Sequence, residues 1–191
     1  MKLLITHVIF FWQVSVNAEV IHEERSLYQN ILVTQRGDRL CLQFTVRRVQ
    51  RNQSCMNTRN PKQMVLTYTR MMMSGLLIMP NPENILIVGL GGGTLVTALT
   101  ELIPTAHVDV VEIDPAVYTV ARKFFNYAPT KNTRVILQDA RVFTKRAASK
   151  SRRYDLIMLD AFNGDYIPEH LMTREYLQET RAILSDRGIV V

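Results

Sequence analysis

The sequence predicts an α/β fold: a parallel sheet covered by helices on both faces, preceded by a small N-terminal β-domain and lacking its last C-terminal strands. Three observations predict it. Beyond Pro82, short apolar runs alternate with helical stretches, the rhythm of right-handed βαβ units. The first of those runs, Ile85-Leu86-Ile87-Val88, is continuously apolar, as a strand buried on both faces must be. Before Pro82, Leu40, Leu42 and Phe44 alternate with Cys41, Gln43 and Thr45 at period two, the pattern of a half-buried antiparallel strand.

Taken in order, residues 1–18 read as a signal peptide. Lys2 supplies the positive start, residues 3–16 are mostly apolar, and Val16-Asn17-Ala18 has the small-residue pattern of a cleavage site. The apolar stretch is too short for a membrane span. Export, for instance to a periplasm, goes with that reading, and a cytoplasmic location with its failure. Residues 19–80 form the β-domain and a connecting helix. Residues 19–53 are strand-like with a turn at Arg36-Gly37-Asp38, and Met64, Tyr68, Met71, Met72 and Leu76 fall at helical spacing before Pro80 and Pro82. Residues 81–191 form the parallel-sheet domain. Strands are expected at 85–88, 107–113, 134–137, 154–159 and from 188. Helices are expected at 95–102, 115–125, 142–148 and 173–184, the second opening on a proline. A buried fifth strand at the very end would leave backbone groups unpaired, so a truncated sheet is expected.

Composition narrows the function. Of the 191 residues, 47% are apolar and 21% charged, which suits a packed core rather than a disordered or fibrous chain. The net charge is +6 and the pI is near 9.5, but the basic residues fall in scattered clusters without interleaved aromatics, so no nucleic-acid partner is expected. Four histidines show no ligand spacing and the two cysteines form no CxxC, which leaves no metal site. Cys41 and Cys55 could pair in an oxidising compartment or remain thiols in a reducing one.

Four positions carry chemistry. The first parallel strand runs into Gly89-Leu90-Gly91-Gly92-Gly93-Thr94, where glycines let the backbone turn tightly and approach a ligand. Thr94 stands where a dinucleotide fingerprint would place glycine, which disfavours NAD. Glu112, at the end of the second strand, is placed to accept hydrogen bonds from ribose hydroxyls; capping the next helix is its alternative role. Asp139, with Ala140 after it, ends the third strand beside the same crevice and can accept from an adenine amino group. Asp160 ends the fourth strand, facing whatever reacts with the nucleoside. An amine acceptor arrives as an ammonium ion, and Asp160 can take its proton before attack on a carbon next to a sulfonium.

These motifs resemble the spermidine synthase (polyamine aminopropyltransferase) family over residues 23–191. Tyr28-Gln29-Asn30-Ile31 is similar to the family's YQ-x-I strand, whose glutamine contacts the nucleoside. Gln53 resembles a second, substrate-side glutamine, and Tyr68-Thr69-Arg70-Met71 resembles its Y-[HQ]-E-M helix. Gly91-Gly92-Gly93-Thr94 sits where the family has GGGDG, Val111-Glu112-Ile113-Asp114 resembles its ribose-binding E-[IL]-D, and Tyr154-Asp155-Leu156-Ile157 through Asp160 resembles YDVI-x-x-D, whose last Asp is the proposed base. The resemblance implies a small β-domain on a Rossmann-like, S-adenosylmethionine-methyltransferase-type domain. It implies no permanently bound cofactor. The co-substrate would be decarboxylated S-adenosylmethionine, the acceptor a putrescine-like amine, and the by-product 5′-methylthioadenosine. A homodimer is the assembly considered.

The chain also departs from the family. Thr94 replaces an aspartate that holds the donor's ammonium, Arg70 replaces the glutamate of the tyrosine helix, and Asn163 replaces the second acid of a D-x-x-D pair, with Asp165 nearby to compensate. The losses allow intact S-adenosylmethionine as a donor, with Arg70 as a fork for its carboxylate. Two other functions remain open: an S-adenosylmethionine-dependent methyltransferase, which would lack the Tyr28-Gln29 strand, and a non-catalytic nucleoside-binding relative.

Overall fold

Strands β1 (Glu19–Arg25), β2 (Asn30–Arg36), β3 (Arg39–Val46) and β4 (Val49–Asn57) pair antiparallel in sequence order. They belong to a computed structural model that describes residues 18–46, 49–162 and 167–191. The predicted signal peptide therefore lies outside the described residues except for Ala18, as do Asn163 and Asp165. Leu40, Leu42 and Phe44 are buried as the alternation predicts, but Cys41 is buried as well, and on β2 Ile31, Leu32, Val33 and Thr34 are buried without a break. Cys41 and Cys55 stand opposite each other on β3 and β4 and are joined in a disulfide.

The single connecting helix expected from the spacing of Met64 to Leu76 is instead two short ones, α1 (Thr67–Met73) and α2 (Gly75–Ile78). Residues 62–66 are drawn to the first sheet, where Met64 bridges to Met56. The break falls at Ser74, whose hydroxyl donates to the Met71 carbonyl at 2.6 Å. Next to it, a Cβ on Gly75 would press on Val191 at 2.8 Å. Close packing of α2 on the second sheet thus overrides helical periodicity.

That second sheet is parallel, with strands β5 (Asn84–Val88), β6 (His107–Glu112), β7 (Thr133–Leu137), β8 (Tyr154–Leu159) and β9 (Leu184–Val190) in the spatial order β7-β6-β5-β8-β9. Helices α3 (Thr94–Leu102), α4 (Pro115–Phe124), α5 (Ala140–Ser149) and α6 (Arg174–Ala182) connect them. Three start on side-chain caps: Asp114, Asp139 and Thr173 accept from the backbone N–H groups of Ala116, Val142 and Tyr176. Each such cap stabilises its helix by about 1 kcal/mol.

Alternation along β5 divides the core. Ile85 and Ile87 join a cluster that includes Val96, Val120 and, from the first sheet, Ile31 and Leu42. Leu86 and Val88 face the other way, towards Phe143, Ile157 and Ile183. The two sheets therefore share one continuous apolar core. Strand β9 begins four residues before the expected 188. Leu184 pairs with Tyr154 and Ile189 with Leu156, so Ser185-Asp186-Arg187-Gly188 bulge out between them. Their polar composition reads as a loop, yet Ser185 is tied to Asp155 at 2.8 Å. Among the described residues no helix is long and apolar enough to cross a membrane.

Candidate functional site

At β5 the sheet order reverses, so chains leave the carboxyl ends of β5 and β8 in opposite directions and open a crevice there. The first sheet roofs the crevice, and the space between is a cavity of about 550 Å³. Gly89 makes the junction possible. Its φ is 102°, and a Cβ there would run into the Asp160 carbonyl carbon at 2.8 Å. Gly91 lines the cavity with φ 53°, its nearest obstacle Ser54 at 3.5 Å.

Glu112 ends β6 on the cavity wall and is buried. Its Oε2 accepts from the Leu90 N–H and its Oε1 from the Asp114 N–H, both at 2.9 Å. Asp114, not Glu112, caps α4, so Glu112 keeps lone pairs for a ligand. Burial pushes its carboxyl above the ordinary value, and the backbone N–H groups pull back. Asp139 caps α5 through Oδ1, which accepts from the Val142 N–H at 2.9 Å, while Oδ2 lies 2.9 Å from His170 Nε2. Ala140, the first residue of α5, forms wall beside it. From the turn before β2, Gln29 lines the cavity with a buried Oε1 that has no hydrogen-bond partner among the described residues. An unpartnered buried acceptor is costly unless a ligand donates to it.

Asp160 stands across the cavity. Its carboxyl is raised to about 7, chiefly by burial, with the Tyr68 hydroxyl pulling down and the charge of Glu112 pushing up. The Tyr68 hydroxyl lies 3.1 Å from the Gln53 carbonyl and 3.5 Å from Asp160 Oδ2. Burial and the Asp160 charge push the phenol's own pKa up. Phe162 leans on Tyr68, the rings 6.4 Å apart and tilted by 58°. A carboxyl near 7 beside a phenol that stays protonated can exchange a proton with a ligand at neutral pH.

The structure thus gathers Gln29, Gln53, Tyr68, Gly89, Gly91, Glu112, Asp139, Ala140 and Asp160 around one space. It leaves others outside. Gly92 packs against Ser54 and Phe125, and Gly93 against Tyr127, so their missing side chains serve packing rather than the cavity wall. Arg70 is exposed on α1 and donates to Thr67 Oγ1 at 3.1 Å, which removes it as a fork for a ligand carboxylate. The Thr94 hydroxyl meets Ser54 Oγ at 3.3 Å. Sequence reasoning missed Phe44, Asn52, Phe162 and His170, all of which line the cavity. Phe44 was recognisable only as an inward position of β3. His170 lies 31 residues from its partner Asp139, and no local pattern reports such a pair.

Similarity to known proteins agrees with this geometry. The profile of the spermine/spermidine synthase domain matches residues 65–191. A polyamine aminopropyltransferase of Vibrio vulnificus (strain CMCP6) is 52% identical over 174 residues, which cover 90% of this chain and 58% of that one. An eEF1A lysine and N-terminal methyltransferase of Xenopus laevis is 33% identical over 134 residues, covering 63% of this chain and 19% of that one. Among solved structures, a probable spermidine synthase from Corynebacterium glutamicum ATCC 13032 superposes with a TM-score of 0.73 at 18% identity, covering 90% of this chain and 63% of that one, a likeness of fold. The chain spans a little over half the length of the Vibrio relative.

Proposed function

The chain belongs to the spermine/spermidine synthase family, and from that premise we propose that it forms the donor-binding and proton-accepting part of an aminopropyltransferase. Its substrates are decarboxylated S-adenosylmethionine and a putrescine-like amine. The first sheet with α1 and α2 (residues 19–80) acts as lid and acceptor wall, and residues 81–191 as nucleoside-binding domain. Gln29, the loop through Gly89 and Gly91, Glu112, Asp139 and Ala140 hold the adenosyl group. Gln53 and Tyr68 border the acceptor, with Asn163 and Asp165 assigned to the same side on sequence alone.

Asp160 takes a proton from the acceptor's ammonium. The freed lone pair attacks the aminopropyl carbon bonded to sulfur, the C–S bond breaks, and its electrons return to the sulfonium. A neutral thioether, 5′-methylthioadenosine, leaves. The observation that carries this reading is the raised Asp160 carboxyl facing the cavity opposite Glu112. A base near 7 gains more from proton transfer than an ordinary carboxylate.

One observation favours a second reading, methyl transfer from S-adenosylmethionine. Among the described lining residues the carboxylates are Glu112, Asp139 and Asp160, which leaves no acid at the glycine loop for a donor ammonium. The Vibrio relative ranks this reading below the first. Incubation of the protein with either donor and putrescine, followed by chromatography, separates them. Release of 5′-methylthioadenosine from the decarboxylated donor is expected, and release of S-adenosylhomocysteine instead would establish the second reading.

A further inference from the structure

We propose that His170 is a positioning residue that orients the Asp139 carboxylate and thereby sets the site's preference for a nucleobase bearing a 6-amino group. The inference rests on the nucleoside reading of the cavity.

Asp139 has a divided task. Its Oδ1 is committed to the first turn of α5, where it accepts from the Val142 N–H at 2.9 Å. Only Oδ2 is left to meet a ligand, and a carboxylate held by one oxygen can still turn about that bond. His170 removes this freedom, because its Nε2 lies 2.9 Å from Oδ2 while its side chain lines the same cavity. An ionised carboxylate only accepts, so Nε2 carries the proton and donates. With both oxygens engaged, the carboxylate plane is set and the spare lone pair of Oδ2 has a defined direction.

His170 is itself held from below. It sits in the one-turn helix Glu169–Leu171, where Leu171 is buried with Phe143 and Tyr176. The Arg141 guanidinium grips Glu179 with two bonds, at 2.9 and 3.0 Å, and leans on the His170 carbonyl at 3.5 Å. Arg141 and Glu179, which are not part of the cavity wall, and Leu171, which is, together fix the backbone of His170, as a positioning role requires.

An oriented acceptor discriminates. A 6-amino base donates to Oδ2, whereas a 6-oxo base would set one acceptor against another. A site built for the hydrogen bond therefore rejects the analogue that cannot make it.

The test is calorimetric binding of 5′-methylthioadenosine and 5′-methylthioinosine to the wild type, His170→Ala and His170→Gln. The wild type should prefer the adenosine, and His170→Ala should lose about tenfold of that preference, as expected for one oriented hydrogen bond. His170→Gln restores a donor at similar reach and should recover most of the loss. Unchanged preference in His170→Ala overturns the inference alone, and so does a His170→Gln variant as indiscriminate as His170→Ala. A wild type that binds neither nucleoside overturns the nucleoside reading, and this inference with it.

Discussion

With its carboxyl raised to about 7, Asp160 is roughly half protonated at neutral pH, and only the ionised half can accept a proton. The rate of transfer at low substrate should therefore rise with pH and level off above about 7. Tyr68 holds that value down, so Tyr68→Phe should move the limb to higher pH; a limb that stays in place would mean the 3.5 Å contact carries no hydrogen bond in solution. Stability runs the opposite way. The folded-state pKa lies above the ordinary 3.8, so the native state holds a proton that the unfolded chain has released. The contribution is full below about 4 and is lost as pH rises to about 7. Asp160→Asn removes this pH-dependent loss. It should abolish transfer yet make the protein more stable than the wild type at pH 8, by on the order of a few kcal/mol, and no more stable at pH 4. Paired denaturation curves at the two pH values check this. Asp160, Glu112 and Asp139 were legible in the sequence because each ends a recognisable strand. Phe162 and His170 were not, because their places depend on how the chain after β8 turns back.

Along single elements, periodicity explains both what was read and what was misread. Tyr68 and Arg70 lie two positions apart on α1, about 200° around the helix, so both cannot face the cavity. Tyr68 takes it and Arg70 faces solvent. Strand β9 was half hidden because its bulge is written in polar residues, and a pattern rule reads those as loop. The glycine loop was legible as a loop but not residue by residue. A Cβ on Gly89 meets the backbone of Asp160, which cannot yield, whereas one on Gly91 meets Ser54 at 3.5 Å and the Gln53 carbonyl at 3.9 Å, both ordinary contacts. Both have positive φ, so alanine at either carries about 1–2 kcal/mol of backbone strain. Gly89→Ala must in addition force β5 and β8 apart at the site. Gly91→Ala should fold and melt a few degrees lower. Gly89→Ala should lose nucleoside binding and melt far lower still, and equal melting temperatures would show that the strand ends separate without cost.

Across the whole molecule, the cavity exists because the first sheet is held over the second, and one irregularity links that arrangement to the disulfide. Counting outward from Val46 opposite Val49, a regular β3–β4 ladder would place Cys41 opposite Ser54. The register shifts between Leu42 and Gln43, leaving Gln53 as the extra residue and bringing Cys55 opposite Cys41. The same bulge sets Gln53 over the cavity with its carbonyl in reach of Tyr68. The pairing of the two cysteines stayed open in the sequence because it turned on the redox compartment, and the bulge that brings them opposite each other leaves no local pattern. Closing a separation of 14 residues, the bridge should stabilise the fold by about 3 kcal/mol. It also locks the bulged register, so its loss should be felt at the cavity roof. Replacing both cysteines by serine should lower the melting temperature, and adding reductant to the wild type should lower it by the same amount. The serine variant should not respond to reductant. Nucleoside affinity should fall with the register, because Phe44 and Gln53 reach the cavity from the two strands that the bridge joins. A wild type whose melting temperature and nucleoside affinity are both indifferent to reductant would mean that the ladder alone keeps the bulge in place.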